Sequence, residues 1–302
     1  MKNFSRLFFL ISILIYLNIY FGPLVRATDS GLACPDWPLC HGKFIPEYSF
    51  QIAMEVGHRF YSGTIGIIIA IGFIWGFLAS NLKPFRGLLL LQMFFLGTQV
   101  MLGALTVTKL LDPTTVNLHL LNAVLLLTIS ITITLLSNWK AKSIVYEKWS
   151  FATLWNSGNK FLTIAVLITG FQLFMGGRVS SHYAGLACPD FPTCYGDWFP
   201  EMIGTIRYQM EHRILGYIVA LSIFTALWIG IRNQFEGRSK ILLQSAAGLI
   251  ILQIVLGAFN VLYHLPKLLT ATHTGIGVLT FIVLYLALVY RNLLPKNQGE
   301  LL

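Results

Sequence analysis

The sequence repeats itself once, at an offset of 154 residues, the distance along the chain from Cys34 to Cys188. The decapeptide Gly31–Cys40, GLACPDWPLC, returns as Gly185–Cys194, GLACPDFPTC, and no insertion or deletion interrupts the match. Self-similarity at a fixed offset indicates two similar structural units. Any structure predicted for the first half must therefore also suit the second.

Both halves are too apolar for a soluble protein. Hydrophobic residues make up 56% of the chain and charged residues 11%, against about 25% charged in soluble domains. A membrane-spanning helix needs about 20 mainly apolar residues. Eight stretches qualify, at 7–25, 55–79, 86–107, 116–137, 159–178, 209–231, 241–262 and 270–291. The first could be a signal peptide, but its repeat partner is internal, so we predict a retained helix.

The predicted fold is an all-α integral membrane protein with eight transmembrane helices in two tandem four-helix bundles. Residues 1–140 form the N-terminal bundle, 141–158 a cytoplasmic linker, and 159–302 the C-terminal bundle. Because each repeat has an even number of helices, both bundles cross the membrane in the same direction. We therefore expect them to be related by a pseudo-two-fold axis along the membrane normal.

The basic residues predict the orientation. Most of the 21 Lys and Arg residues lie on the side that carries both termini, and the positive-inside rule assigns this side to the cytoplasm. The long loops at 27–54 and 179–208 then face outside, and we predict a multi-pass protein of the inner (plasma) membrane. This topology explains the net charge of +9. The predicted partner is therefore membrane lipid, not nucleic acid.

Four histidines occupy matched positions in the two repeats. His58, His119, His212 and His273 stand at the predicted starts of the second, fourth, sixth and eighth helices. Each half thus offers two imidazoles from two helices at a similar depth near the outside, which suits axial ligation of one heme iron. A single such histidine could cap its helix or contact lipid headgroups, but four matched ones favour ligation. Zinc is the competing metal, although two histidines per half make a poor tetrahedral set.

Three other histidines have no such match. The repeat partners of His41, His182 and His264 are Tyr195, Thr28 and Leu110. We interpret these three as loop or rim residues.

An arginine follows one histidine in each half. Arg59 follows His58 and Arg213 follows His212. Either arginine could extend to the membrane interface. Alternatively, each could bind a heme propionate, because the guanidinium fork matches a carboxylate in a bidentate way. The second interpretation makes both residues part of the cofactor site.

The two halves differ at one position near the histidines. Glu55 precedes His58 by three residues, on the same helical face, whereas the equivalent residue of the second half is Gln209. A carboxylate there can donate or accept a proton, and an amide cannot. Glu211 lies about 100° round the helix from His212 and is expected to point away from the ligand. Glu55 could also simply favour the helix N-terminus.

The four cysteines form two pairs of equal spacing in the outside loops. Disulfides persist on that side of a membrane, and the spacing allows Cys34 to pair with Cys40 and Cys188 with Cys194. We interpret Cys188–Cys194 as structural. Cys34–Cys40 borders the half with Glu55, so a thiol–disulfide role remains open beside a structural one. The spacing differs from that of thioredoxin-type pairs.

Taken together, these motifs resemble heme A synthase over nearly the whole chain. The resemblance rests on the loop GLACPDWPLCHG, on Glu-x-x-His-Arg in the second helix, on the four histidines and on the paired four-helix repeats. Members of that family oxidise a methyl group of heme O to a formyl group by successive hydroxylations. The product, heme A, is used by cytochrome oxidase.

The resemblance implies a different heme for each half. His58 and His119 would flank the substrate heme O in the N-terminal half. His212 and His273 would ligate a resident heme b in the C-terminal half.

The resemblance also implies catalytic residues and partners. Glu55 matches the catalytic carboxylate of the family, and Cys34 and Cys40 match its functional cysteine pair. The implied partners are a heme O synthase, cytochrome oxidase assembly factors and an electron acceptor of unknown identity.

Two other functions are compatible with parts of the pattern. A non-catalytic di-heme b-type electron carrier would use the same four histidines, but a transmembrane relay would place its hemes near both membrane faces. A parallel-repeat transporter would need discontinuous helices and polar groups at the midplane, where this sequence is nearly uncharged. The prediction is therefore a heme-oxidising enzyme.

Overall fold

The computed structural model describes residues 1–141, 154–156 and 159–293. Within these ranges it contains eight helices long and apolar enough to cross a membrane and no β-strand, which confirms the predicted all-α membrane fold. The helices are α1 (Lys2–Ala27), α2 (Phe50–Leu78), α3 (Arg86–Thr108), α4 (Pro113–Ala141), α5 (Lys160–Ser181), α6 (Gly204–Arg232), α7 (Gly237–Leu262) and α8 (Lys267–Leu293). Most of the predicted linker 141–158, and 294–302 of the predicted C-terminal bundle, lie outside the described residues.

The chain divides into two compact units. Unit 1 comprises Met1–Ile144 and unit 2 comprises Val145–Leu302. In unit 1 each helix packs against the next one along the chain, and α1 also packs against α4. Helices α5 to α8 pack in the same cyclic order in unit 2. Each unit is therefore a closed four-helix arrangement, and the symmetry axis between the units stays a prediction.

The interiors of the two units are packed with different side chains. In unit 1, Phe4 and Phe8 of α1 are fully buried, and Phe8 lies against Gly72 of α2. In unit 2 the core is mainly aliphatic, with residues such as Ile223 and Leu243, although it also includes Phe235. The surfaces of the helices also carry many large apolar side chains, such as that of Leu221, which is 69% exposed. This distribution suits helices surrounded by lipid, where packing and polar contacts, rather than burial from water, hold helices together.

Polar caps extend the helices beyond the predicted apolar stretches. The Ser49 hydroxyl accepts from the Ile52 N–H at 3.2 Å and starts α2. The Asp112 carboxylate accepts from the Thr115 N–H at 3.0 Å at the start of α4, a common device at helix N-termini. Both helices therefore begin several residues before the predicted starts. The four matched histidines all lie roughly two turns inside their helices, so the expectation that they begin these helices is corrected.

Candidate functional site

Each unit has one long loop closed by a disulfide. We call residues 28–49 disulfide loop 1 and residues 182–203 disulfide loop 2. Cys34 bonds to Cys40 in the first, and Cys188 bonds to Cys194 in the second. No cysteine of the chain is left free. The disulfide loops therefore have matching covalent frames.

An aspartate organises the turn inside each disulfide loop. The carboxylates of Asp36 and Asp190 accept from the backbone N–H groups of the two residues after the second cysteine, at 2.6 to 2.9 Å. These donors, Gly42 foremost, hold the pKa of Asp36 below its ordinary value. Asp190 also accepts from the Thr193 hydroxyl at 2.5 Å, which is the main reason that its pKa falls to about 2.

An arginine of the following helix binds each disulfide loop. Arg59 donates to the carbonyls of Asp36 at 2.8 Å and Leu39 at 2.6 Å. Arg213 donates to the carbonyls of Thr193 at 2.6 Å and Cys188 at 3.1 Å. Each arginine therefore ties its disulfide loop to the helix that carries the first histidine. Their predicted role toward a heme propionate stays a prediction, and these carbonyls already occupy much of their bonding capacity.

Glu55 joins this arrangement in unit 1. It is 4% exposed, and its two carboxylate oxygens accept from the Cys34 N–H at 2.8 Å and from Arg59 Nη2 at 2.5 Å. The carboxylate is thus held between the helix that carries His58 and the disulfide loop. Gln209 occupies the same position in unit 2, where it is also buried and its Oε1 has no hydrogen-bond partner. The predicted difference between the halves is therefore a difference in bonding as well as in charge.

In unit 2 the two histidines of interest face each other. The ring centroids of His212 and His273 lie 6.3 Å apart, with an angle of 78° between the ring planes. An iron bonded to one nitrogen of each ring at about 2 Å would place the centroids roughly 6 Å apart. In unit 1, the His58 ring packs edge-on against Phe21 at 5.4 Å. The Nδ1 atoms of all four rings are shielded from solvent and have no hydrogen-bond partner.

Each of the four rings packs against a glycine of the preceding helix. The pairs are Gly22 with His58, Gly103 with His119, Gly176 with His212, and Gly257 with His273. A Cβ atom at Gly103, Gly176 or Gly257 would lie 3.1 to 3.2 Å from Cε1 of its histidine, which is tighter than ordinary contact. At Gly22 the same distance is 3.9 Å. Three of the rings therefore depend on the absence of a side chain.

A glutamine contacts the second histidine of each unit. Nε2 of Gln99 lies 3.3 Å from Nε2 of His119, and Nε2 of Gln253 lies 3.3 Å from Nε2 of His273. Gln99 is fixed by Asn122, which donates to its Oε1 at 2.7 Å. Gln253 is fixed instead by donating to the backbone carbonyl of His273 at 2.9 Å. The two glutamines stand at the offset of the repeat, a signal in the sequence that could have found them.

The backbone carbonyl of the first histidine also has a polar partner in each unit. In unit 1, Ser62 donates to it at 2.7 Å, and Asn18 donates to Ser62 at 2.9 Å. In unit 2, Gln172 donates to it directly at 2.9 Å. Gly216 replaces Ser62 there, and a Cβ atom at Gly216 would lie 3.3 Å from Nε2 of Gln172. The longer glutamine thus occupies the place of an asparagine and a serine.

The three unmatched histidines lie where they were expected, outside the paired sites. His41 lies in disulfide loop 1, and its Nε2 is 3.1 Å from the Ala33 carbonyl oxygen. His182 follows α5 and packs on Tyr208 at 4.2 Å. His264 lies between α7 and α8, with a φ of 57°.

The residues present fit an iron tetrapyrrole better than zinc. Among the described residues, no group of three or more His, Cys, Asp or Glu side chains could hold a metal ion, whereas structural zinc almost always takes four ligands. Two facing imidazoles with unpartnered ring nitrogens, packed against glycines, match the two axial positions of a heme. In unit 2, His212 and His273 would hold such a group.

The fold and these sites define a class, the helical multi-pass membrane protein with two histidine-pair sites built on an internal repeat. The chain belongs to a known family of this class. Residues 5–285 match the COX15-CtaA family, described as cytochrome oxidase assembly protein. Family membership thus covers both units.

Curated relatives agree with the family match. The chain is 29% identical to a heme A synthase of Shewanella oneidensis, over 89% of this chain and 90% of that protein. It is 26% identical to a heme A synthase of Symbiobacterium thermophilum, over 88% of this chain and 90% of the relative. A heme A synthase of Halalkalibacterium halodurans is 28% identical over 73% of this chain and 74% of its own. The similarity therefore extends over most of the length of each protein.

Proposed function

We propose that this protein oxidises a ring methyl group of heme O to a formyl group and so makes heme A. The family and the names of the curated relatives support this reaction. The observation that carries it within the structure is the difference between two otherwise matched sites. Beside the histidines, unit 1 has an ion-paired carboxylate, Glu55, where unit 2 has the amide of Gln209.

The proposed division of labour follows from that difference. Unit 1 binds heme O as substrate between His58 and His119, within the proposed N-terminal bundle 1–140. Unit 2 holds a resident heme b between His212 and His273, within the proposed bundle 159–302. A heme bound there supplies one-electron redox chemistry.

Proton transfer is the task proposed for Glu55. Converting a methyl group and one water molecule into a formyl group releases four protons and four electrons, by way of an alcohol and a gem-diol that loses water. The electrons pass to an acceptor that remains to be identified. Glu55 accepts protons next to the substrate, and Arg59 and the Cys34 N–H hold its carboxylate in place. General acid–base catalysis of this kind contributes roughly 10²- to 10⁴-fold to a rate.

The proposed setting is the inner (plasma) membrane with both termini in the cytoplasm. The described ends of the helices opposite the disulfide loops carry a basic set, namely Lys2, Arg6, Lys83, Arg86, Lys160, Arg232, Arg238, Lys240 and Arg291. Such residues favour the cytoplasmic side. The disulfide loops and both histidine pairs then lie toward the outside, where disulfides persist. A heme O synthase and cytochrome oxidase assembly factors are the proposed protein partners.

The test is to express the protein with a source of heme O, extract its hemes and separate them by chromatography. The wild type should yield heme A. Glu55→Gln should lower the yield by at least about 100-fold without lowering the total heme bound. The matched control, Gln209→Glu, should keep the wild-type yield.

Two results would overturn the proposal in different ways. Wild-type protein that makes no heme A while retaining two b-type hemes would identify a di-heme electron carrier. Full activity in Glu55→Gln would remove the carboxylate from the mechanism while leaving the reaction itself in place.

A further inference from the structure

Unit 2 carries a charged cluster beside disulfide loop 2, formed by residues of α5 and α6. Arg207 pairs with Glu211 at 2.6 Å, and Arg178 lies 3.4 Å from the other oxygen of the same carboxylate. The Arg178 guanidinium also lies over the Tyr208 ring, 4.6 Å from its centroid. With two cations and one anion, the cluster has one positive charge in excess. We call these four residues the arginine cluster.

The arginine cluster lies beside the turn of α6 that precedes His212. Tyr208 precedes His212 by four residues, so the two side chains share a face of α6 one turn apart. Arg178 of α5 contacts this same turn of α6, since its guanidinium lies over the Tyr208 ring and 3.4 Å from Glu211, the residue before His212. The guanidinium is thus placed about one helical turn from the imidazole, on the side of disulfide loop 2.

Arg178 also has bonding capacity that Arg213 lacks. Nη1 of Arg178 has only distant acceptors, an oxygen of Glu211 at 3.4 Å and the sulfur of Met175 at 3.6 Å. Arg213 donates to carbonyls of disulfide loop 2 at distances down to 2.6 Å. A guanidinium has five N–H donors and matches a carboxylate in a bidentate way. Of these two arginines, Arg178 is therefore the better placed to take an additional carboxylate.

Unit 1 has no counterpart of the arginine cluster. The residues at the equivalent positions are Leu24, Ala53, Met54 and Gly57, all of them uncharged. The glycines against the histidine rings and the arginines that bind the disulfide loops occur in both units. The charge difference therefore concerns the periphery of the site rather than the iron ligands.

We infer that Arg178 binds a carboxylate of the tetrapyrrole in unit 2 and makes that group a permanent one, whereas unit 1, with Leu24 at the equivalent position, lets its tetrapyrrole leave. The inference rests on the proposed function, because it assigns a resident heme to unit 2 and an exchanging substrate to unit 1. A charge-assisted bond at the periphery slows dissociation without changing the ligands of the iron. A pair of histidine ligands can then hold either a heme that stays bound or a heme that exchanges as substrate.

The test measures heme loss from the purified protein to an excess of apomyoglobin, followed by absorption, after expression without a heme O source. Arg178→Leu, which introduces the residue of unit 1, should release the heme of unit 2 at least about tenfold faster than wild type. Arg178→Lys, which keeps the charge but loses the bidentate guanidinium, should release the heme at a rate between those of wild type and Arg178→Leu. Arg238→Leu is the matched control, since Arg238 also lies over a tyrosine, at 5.5 Å from the Tyr290 centroid, and should leave the release rate unchanged.

A second measurement separates charge from folding. Reconstituted with the dimethyl ester of heme b, which has no free carboxylate, wild type and Arg178→Leu should release the group at the same rate. Equal release of heme b itself from both proteins would overturn the inference. Unequal release of the ester would also overturn it, because the arginine would then act through packing. Neither result touches the proposed function, which fails instead if the wild type makes no heme A from heme O.

Discussion

Arg59 and Arg213 perform the same task in the two units, but only Arg59 shares it with a carboxylate. Both donate to carbonyls of a disulfide loop. In unit 1 the fork also reaches Glu55, and Glu55 in turn accepts from the Cys34 N–H. In unit 2 the corresponding amide, Gln209, has an unpartnered oxygen.

This comparison separates what the repeat needs for folding from what it needs for chemistry. The arginine, the disulfide and the loop aspartate recur in both units and keep the loop on the helix that carries the first histidine. The carboxylate is present in one unit only, so the fold of the loop does not depend on it. Its presence in unit 1 therefore calls for a functional explanation.

The largest effect is expected from removing the arginine of each unit in turn. Arg59→Ala leaves the buried Glu55 carboxylate without its cation, which costs about 3–5 kcal/mol for a buried pair. Arg213→Ala removes only a hydrogen-bond donor from the carbonyls of disulfide loop 2, which costs about 1–3 kcal/mol. Thermal unfolding in detergent should show the lower midpoint for Arg59→Ala.

The double variant Glu55→Gln/Arg59→Ala supplies the control for this pair. It should recover part of the lost stability, because it removes the unpaired charge. Equal midpoints for the two single arginine variants would mean that the ion pair adds nothing to the binding of disulfide loop 1.

A smaller effect is expected from adding one methyl group beside a histidine in each unit. Gly176→Ala places a Cβ atom 3.1 Å from the His212 ring, whereas Gly22→Ala places one at 3.9 Å from His58. Overpacking of this kind costs about 1–3 kcal/mol, so the first variant should shift the heme absorption of unit 2 and lower its heme content. Gly22→Ala should match wild type in both measurements. A wild-type spectrum for Gly176→Ala would show that the ring has room to move.

The smallest effect concerns pH and the loop aspartates. The pKa of Asp190 is depressed to about 2, so its contribution to loop stability is complete above its ordinary pKa and is lost as pH falls through about 2. Thr193→Ala removes the main cause and should move this loss to higher pH. As the pH is lowered, the rate at which a phosphine reductant opens Cys188–Cys194 should then begin to rise at a higher pH than it does in wild type. Leu39→Thr makes the reverse change, because it adds a hydroxyl near Asp36. An unchanged pH profile in both variants would contradict the role of the threonine hydroxyl in stabilising the loop aspartate.

Much of the fold could be predicted from sequence because apolar length and repetition are strong signals. The eight helices are present, yet the starts of all but α3 and α5 were placed several residues too late. The first turns of α2 and α4 are capped by Ser49 and Asp112, and a search for apolar residues passes over polar caps. Helix ends set by side-chain hydrogen bonds are therefore harder to predict than spans set by hydropathy.

The residues of the site could be predicted from the sequence, but their contacts could not. The recurrence of histidines and the change from Glu55 to Gln209 are visible in the sequence. The partners of Arg59 are not, because they are backbone carbonyls of a loop that folds back onto α2. The glycines against the histidine rings recur at the same offset, and their position one helix before each histidine is a signal that could have found them. Their role appears only when neighbouring helices are placed side by side.

The replacement of Asn18 and Ser62 by Gln172 and Gly216 restricts how the two halves can evolve. Either change alone is unfavourable: glycine beside the short asparagine leaves a gap, and serine beside the long glutamine crowds it. A route from one arrangement to the other must therefore pass through a less stable intermediate or change both helices nearly together. Gene conversion between the halves, or a laboratory chimera that grafts a single helix, would separate these co-adapted partners. The structure indicates that recombination within this repeat should proceed by pairs of helices.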